Sequence, residues 1–450
     1  MLRDAIQTYH DLLTDEVAAA TQAQLDDQQH RRGLYFGTRP LCSVLRPRFL
    51  TPDHYRFLRA RLATLLRAFD RAYRAALDDA AIRAQFGLFD WEEELLAVDP
   101  GFADPSPVSR IDAFYLPDEA RFALTEYNAE TPAAPAYNDV LSEVFLGLPI
   151  LRPFLRRYDV RPLPSRKGVL HALLGSYQSF SGGGDAPRIA ILDWREVPTY
   201  SEFVLFQDYF RSQGLECVIA DPREVEYRDG RLVAGDFPIT LIYKRVLLSE
   251  LVDRGGGLDQ PVLRAVRDGA VCMVNPPRCK VLHKKLSLAV LSDERNSHLF
   301  TPAEAEAIAA HIPWSRRVEE RHTTLDGADV DLVPYIAAHP ERFVIKANDE
   351  YGGKGIVLGW DVDAPTWERA IQTALAEPSL VQERVTVPSE PFPSLVDGRV
   401  DVIDRMLDTA PFVCHGAYVD GCLTRLSTQS LLNVTAGGGS TVPTFMVEER

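Results

Sequence analysis

Between residues 187 and 278 the chain repeats one rhythm, a short apolar run followed by a helical segment and then another apolar run. RIAILDW leads to TYSEFVLFQDYFRSQG, then LECVIADP, ITLIYKRVL, PVLRAVRDG and AVCMVN. Strand, helix and strand in this order predict a small parallel α/β domain at 187–280. Ahead of it, SFSGGGDAP at 179–187 has the composition of a flexible linker.

The first segment, 1–178, reads differently. Over 51–78, Tyr55, Leu58, Leu62, Leu65, Leu66, Phe69, Tyr73 and Leu77 recur every three or four positions, an amphipathic helix with Thr51 as N-cap and Pro52 at its first position. Most of residues 1–90 read as helical, and the aromatic stripe reads as core. The last segment, 281–450, mixes strands and helices. It includes TPAEAEAIAAHI, where Thr301 and Glu304 form a capping box.

With 49 Lys+Arg against 64 Asp+Glu, the 450-residue chain carries a net charge of −15. Such a surface is a poor partner for nucleic acid or anionic lipid, whereas an anionic small molecule can be met by a local basic cleft. The six cysteines show no C-x-x-C pairing, which indicates free thiols in a reducing compartment. The N-terminus lacks the apolar core of a secretory signal, and no stretch reaches the ~18 apolar residues of a membrane span. The expected location is cytoplasmic; the oligomeric state is not legible.

Residues 108–128, VSRIDAFYLPDEARFALTEYN, form two alternating runs around a Leu116-Pro117-Asp118-Glu119 turn. A turn centred near Glu119 sets Asp112 opposite Glu126 and Arg110 opposite Asn128. All four then project from one face, with Phe114 and Leu124 beneath them. Two carboxylates and an amide oxygen suit Mg²⁺, and the arginine suits a phosphate. A solvated hairpin edge explains the same residues.

Residues 342–360, RFVIKANDEYGGKGIVLGW, place Lys346 on a strand that enters the loop from Asn348 to Gly355. Tyr351, Gly352, Gly353, Lys354 and Gly355 read as a hairpin flap over phosphates, and equally as a tight turn. The pattern is not a Walker A loop. In SLVQERVTVPSEPF, Gln382 and the backbone around Glu383 and Val385 could pair with an adenine edge and Glu390 could reach a ribose; an ordinary strand edge accounts for them too.

Together these pieces resemble the ATP-grasp superfamily. R-x-D (Arg110, Asp112) and E-x-N (Glu126, Asn128) come first and the lysine, glycine loop and hinge come last, the order of a circularly permuted member. EYNAETP at 126–132 is similar to the E-[YF]-N-A-[DE]-T-P string of glutathionylspermidine synthase, and the chain resembles that family's synthetase region without its amidase. The resemblance implies an α/β (α+β) ATP-grasp fold with a small α/β domain and a helical N-terminal region. It implies that Asp112, Glu126 and Asn128 hold Mg²⁺ and that Arg110 contacts the transferring phosphate. Lys346 would bind the α- and β-phosphates, and Lys284 or Lys285, with Lys285 favoured, would supply a second nucleotide lysine. Gln382 and Val385 would flank adenine. Arg425 would face a phosphate or acyl phosphate, with Asn433 and the Gly437–Gly439 loop nearby.

The implied reaction is ATP-dependent carboxylate–amine ligation through an acyl phosphate, with ATP and Mg²⁺ as cofactors and a small acid and amine as substrates. Arg195, Thr199 and Glu202, after a strand and at a helix start, could receive an anionic group, although helix capping also explains Thr199. The competing readings are an ATP-grasp kinase that phosphorylates a small molecule and a non-catalytic nucleotide-binding scaffold.

Overall fold

The computed structural model describes residues 1–350, 352–428 and 439–450. It is a mixed α/β structure in which three sheets position the site. The nine-stranded sheet runs, in spatial order, Ser389–Val396, Arg399–Leu407, Tyr418–Ser427, Ala410–Cys414, Val108–Leu116 and Arg121–Asn128. From Tyr418–Ser427 it branches through Ser440–Glu449 to Arg48–Leu50 and Tyr158–Pro162. Strands from both ends of the sequence therefore share one sheet, with Arg110 the partner of Phe412.

The helix Pro52–Asp78 covers one face of the hairpin. Its cap is the expected Thr51, whose side chain accepts from the His54 amide, with Pro52 in the first turn. Leu62, Leu65 and Phe69 pack with Ile111, Tyr115 and Tyr127 in one buried cluster, so the opposite face of the hairpin is left for polar groups. Residues 1–90 are largely helical as expected, through Leu2–Leu12, Asp15–Arg31 and the helix at 52–78. The Thr301–Glu304 capping box also forms.

A second, four-stranded sheet is antiparallel, in the order Ser315–Arg317, Ser379–Glu383, Phe343–Ala347, Ile356–Leu358. Strand alternation divides its residues: Phe343, Ile345 and Val381 pack against Trp367 and Ile371 of the helix Ala364–Ala376, leaving Val344, Lys346 and Gln382 on the other face.

The third sheet, in the order Cys272–Val274, Leu241–Lys244, Ile189–Leu192, Cys217–Ala220, is wholly parallel. It bears out the apolar-run rhythm of 187–278. Two details differ. The helix Arg166–Ser181 takes up the start of the supposed linker and stops where Gly182 turns left-handed at φ +69°. A small antiparallel meander, Val225–Arg228, Arg231–Ala234 and Phe237–Ile239, intervenes before the third parallel strand. All six cysteines are unpaired and buried. Among the described residues, no helix is long and apolar enough to cross a membrane.

The hairpin needs a correction. Asp112 pairs with Glu126 and Arg110 with Asn128, as alternation requires, but the register then shifts so that Ala113 pairs with Leu124 and Phe114 with Ala123. Thr125 is the extra residue of a β-bulge. Phe114 stays on the polar face, whereas Leu124 joins the core beside the long helix. A bulge places two consecutive residues on one side, and Thr125 and Glu126 both face the cleft described next.

Candidate active site

The free faces of the nine-stranded and the four-stranded sheets enclose a cleft with mixed polar and apolar lining, the kind of concavity that small-molecule sites use. The large sheet contributes Asp112, Phe114, Thr125, Glu126 and Arg425, together with Asp408 just past the end of one of its strands; the smaller sheet contributes Val344, Lys346, Ile356, Leu358 and Gln382. Lys285, Gly352, Gly353, Trp360, Glu383, Arg384, Val385 and Val387 complete the lining. One end is apolar, formed by Val344, Ile356, Leu358, Trp360, Val385 and Val387, and the other carries the charges.

At the charged end, Arg110 donates from Nε to Asp112 Oδ1 at 2.7 Å and from Nη2 to Oδ2 at 2.9 Å. Arg425 Nη2 donates to the same Oδ2 at 2.6 Å. Burial pushes the Asp112 carboxyl up, but Arg110 and Arg425 outweigh it and hold the group well below the usual carboxylate range. Glu126 is also lowered: against burial, Lys285 draws it down, while the neighbouring charge of Asp112 raises it. Lys285 Nζ lies 3.0 Å from Glu126 Oε1 and donates to the Glu350 carbonyl at 2.6 Å.

Asp112 and Glu126 fit a hard divalent cation; Asn128, paired with Arg110, is not among the residues lining the cleft. Two carboxylates on directly paired residues repel one another, and the buried Nδ2 of Asn128 has no hydrogen-bond partner among the described residues. Because an amide turns over by a flip about its own bond, that side chain can present its oxygen instead. Mg²⁺ prefers such carboxylate and amide oxygens.

Lys346 donates to Gln382 Oε1 at 2.7 Å and to the Thr125 carbonyl at 3.1 Å. Burial lowers its ammonium to about 8, partly offset by Glu126. Gln382 in turn donates from Nε2 to Ser315 Oγ at 3.0 Å. Its side chain is thus engaged by Lys346 and Ser315, which leaves only the following backbone of the groups expected at an adenine edge. There, the amides of Glu383 and Arg384 donate to the carbonyls of Trp314 at 2.8 Å and Arg342 at 2.7 Å. Val385 lines the cleft beside them, and the Glu383 carboxylate pairs with Arg342 at 2.8 Å.

The glycine loop begins from a firm base. Asn348 accepts at its carbonyl from the Lys285 amide at 3.0 Å and at Oδ1 from the Leu286 amide at 2.9 Å. At the far end the Ala347 amide donates to the Gly355 carbonyl at 2.9 Å. Gly355 has φ +65°, and a Cβ there would stand 2.7 Å from the Ala347 Cβ, so this closure requires glycine. Gly352 and Gly353 line the cleft; Lys354 sits on the loop outside the lining residues. Tyr351, Asn433, Gly437 and Gly438 lie outside the described residues.

Several expected residues are placed elsewhere. Lys284 is fully buried on the opposite side of its helix start, paired with Glu92 at 2.8 Å and Asp349 at 3.0 Å, so Lys285 is the lysine in the cleft. Arg110 clamps Asp112 and the Ala133 carbonyl and is not among the residues lining the cleft. Glu390 is held by Arg46 at 3.1 Å and Arg48 at 3.3 Å instead of reaching a ribose position. Arg195, Thr199 and Glu202 do not converge. Arg195 pairs with Glu224 on the surface, Thr199 makes no side-chain cap, and Glu202 is buried beneath the Ala134 and Ala136 amides with Arg245.

Behind the cleft lies a second charged group. Lys280 Nζ stands 3.2 Å from Glu130, 2.5 Å from Asp349 and 3.3 Å from Glu92, and Lys244 Nζ is 3.3 Å from Glu130. Glu130, Asp349 and the adjacent His283 have ligating atoms close enough to share an ion, but the Lys280 ammonium is already bound to both carboxylates. Burial lowers His283 to about 4, leaving it neutral.

Sequence reasoning missed Asp408, which clamps Arg425, and Trp360, whose ring carries the Arg384 guanidinium at 4.4 Å. The signal for Asp408 was present: a lone acid between the apolar runs of MLDTAPFV.

No family model matches the chain. Uncharacterized protein sll0335 of Synechocystis sp. is 25% identical over 284 residues, covering 57% of this chain and 52% of that protein. The chain spans about half the length of the curated relative it matches. Among solved structures, the apo form of a glutathione synthetase like-effector (GSS30) from Globodera pallida matches 97% of this chain and 95% of its own, at a TM-score of 0.57 and 13% identity. D-alanyl-alanine synthetase A from Vibrio cholerae O1 biovar eltor, at 11% identity over 59% of this chain and 89% of its own, reaches a TM-score of only 0.29, too low for a fold argument. The chain thus shares its mixed α/β fold with that effector.

Proposed function

We propose that the chain is an ATP- and Mg²⁺-dependent, ADP-forming carboxylate–amine ligase of the circularly permuted ATP-grasp type, acting through an acyl phosphate. The observation that carries this reading is the convergence of Asp112, Glu126, Lys285, Lys346 and Arg425 on one cleft between the nine-stranded and four-stranded sheets. The hairpin with the oxygen donors precedes the lysine strand and glycine loop in sequence yet joins the C-terminal strands in space, which supports the permuted order. The EYNAETP string at 126–132 is what ties this reading to a glutathionylspermidine synthase-like ligase.

The apolar end, with Trp360, Leu358 and Val385, suits a flat purine, and the charged end suits a triphosphate. Asp112, Glu126 and Asn128 would hold Mg²⁺, which when bound supplies charge neutralisation on the phosphates. Lys346 and Lys285 supply positive charge from opposite walls, and Gln382 fixes the Lys346 ammonium. Gly352 and Gly353 let the loop backbone approach phosphate oxygens. Phosphoryl transfer to a substrate carboxylate needs positioning and electrostatic stabilisation more than covalent help. An amine then attacks the acyl phosphate carbonyl, forming the amide and releasing phosphate. The acid and amine would be small molecules, and a cytoplasmic setting agrees with six unpaired thiols.

Incubation with Mg-ATP and pools of carboxylates and amines tests the reading through ADP release. Release that needs both co-substrates is the expected result. Release with an acid or alcohol alone would identify a kinase, and none with any pool a scaffold. The Glu126→Gln variant should lose turnover at least a hundredfold while keeping its unfolding midpoint.

A further inference from the structure

Both candidate metal-binding carboxylates already hold a cation that belongs to the protein. Arg425 Nη2 donates to Asp112 Oδ2 at 2.6 Å, and Lys285 Nζ lies 3.0 Å from Glu126 Oε1. Both cations also line the cleft. Their attachments differ in kind. Lys285 is steadied by one carbonyl, that of Glu350, whereas Arg425 is gripped from behind by a second carboxylate.

Asp408 accepts the Arg425 backbone amide at Oδ1 (2.7 Å) and the Arg425 Nε at Oδ2 (2.6 Å). The grip is itself fixed. Asp408 is 3% exposed, and its carbonyl accepts from Nη1 of Arg48, a fully buried guanidinium, at 3.1 Å. The next residue, Thr409, exchanges backbone hydrogen bonds of 2.8 and 3.1 Å with Ala113, beside Asp112. At the other end Asp112 is also held by two Arg110 contacts. Asp408 Oδ2 also lies 2.5 Å from Arg425 Nη2, so Asp408 holds the guanidinium at both Nε and Nη2, and Arg425 meets Asp112 through Nη2, which the two carboxylates share.

We propose that Asp408 is a positioning residue for Arg425, and that Arg425 is a placeholder competing with a divalent metal ion for the same Asp112 oxygen. Arg110, Asp112, Arg425 and Asp408 sum to zero charge. A dication arriving at Asp112 and Glu126 displaces the Arg425 contact, and Asp408 retains the freed guanidinium at the edge of the cleft, where it meets an anionic ligand. Metal and polyphosphate then bind cooperatively, because each relieves the repulsion the other creates. The inference rests on the metal reading given above for Asp112 and Glu126.

Mn²⁺ titration followed by electron paramagnetic resonance, without nucleotide and then with ATP, tests it. Arg425→Met removes the competitor, so nucleotide-free Mn²⁺ binding should tighten about tenfold, the scale of one charge-assisted contact. Asp408→Asn leaves Asp112 as the main carboxylate partner of Arg425, so Mn²⁺ binding should weaken several-fold. Opposite signs are the signature, since structural damage would weaken binding in both. The double variant Arg425→Met/Asp408→Asn, which leaves neither charge stranded, should bind Mn²⁺ at least as tightly as Arg425→Met. Equal or weaker binding in both Arg425 variants overturns the placeholder while leaving the metal site standing. Absence of Mn²⁺ binding to the wild type, with or without ATP, removes the metal reading and the inference together.

Discussion

Lys284 and Lys285 are neighbours in sequence and members of two opposed charge systems. Lys284 belongs to the buried group of Lys244, Glu130, Lys280, Asp349 and Glu92, in which three lysines meet three carboxylates and almost no group is exposed. Lys285 belongs to the cleft, where Lys346 forms no ion pair among the described residues and hydrogen-bonds only neutral oxygens. The difference teaches how to tell an anchor from a binding site. In the first system every lysine has a carboxylate within 3.3 Å: against burial, its lysines hold Glu130 well below the usual carboxylate range and its carboxylates hold Lys280 above the usual lysine range, while Lys284 is lowered by burial. The second is incomplete, and burial there lowers Lys346 to about 8.

The sharpest break of this contrast is Lys280→Met. It removes the lysine that Glu130 and Asp349 share, leaving Glu130 to Lys244 and Asp349 to Lys284, and the loss of this buried partner should cost about 3–5 kcal/mol in urea unfolding. Next in size is the acid limb of stability. His283 is held near 4 in the folded chain against 6.5 as its ordinary value. The unfolded chain therefore takes up this proton first, and stability is lost as pH falls from about 6.5 toward 4, by on the order of 3 kcal/mol. His283→Gln should flatten that part of the pH–stability curve.

In the cleft, Lys346→Met should leave the unfolding midpoint unchanged or raised, because an unpaired buried charge is removed, while ATP binding weakens about tenfold or more by calorimetry. In the wild type the ammonium loses its proton as pH rises through about 8, so ATP affinity should fall above that pH; Lys346→Arg should abolish the fall. The smallest effect is Gln382→Leu, which frees Lys346 on one side and should weaken ATP several-fold, about 1 kcal/mol, with little change in unfolding. Loss of stability from Lys346→Met equal to that from Lys280→Met would erase the distinction.

Much of this was legible in the sequence, and the reasons it was legible mark the limits. Alternation alone placed Arg110, Asp112, Glu126 and Asn128 on one face, since period two leaves no other choice. It could not reveal the extra residue at Thr125, because a bulge is a count across two strands and not a property of one. The parallel sheet was readable from apolar runs; the meander at 225–239 was not, its strands being short and half exposed. Lys284 ends the short helix Cys279–His283 with an extended ψ of 131° and Lys285 caps the next helix, so the two part company only once that junction and the packing around it are known. Glu202 looked available as an acid at a helix start, yet its carboxylate is consumed by the Ala134 and Ala136 amides, from a segment distant in sequence. Asp408 and Gln382 act through other side chains, Arg425 and Lys346, and no spacing within one segment encodes such a partnership.

The bulge at Thr125 also bears on how the hairpin tolerates change in length. Losing a residue is ordinarily among the harshest events a strand can suffer, since every side chain beyond it changes face. Here, deletion of Thr125 would leave Glu126 paired with Asp112 and Leu124 with Ala113, each still on its present side. What disappears is the Thr125 carbonyl that receives Lys346. Deletion is thus nearly silent for the core at this one position and consequential only for the cleft, which makes chain length itself a means of adjusting the site.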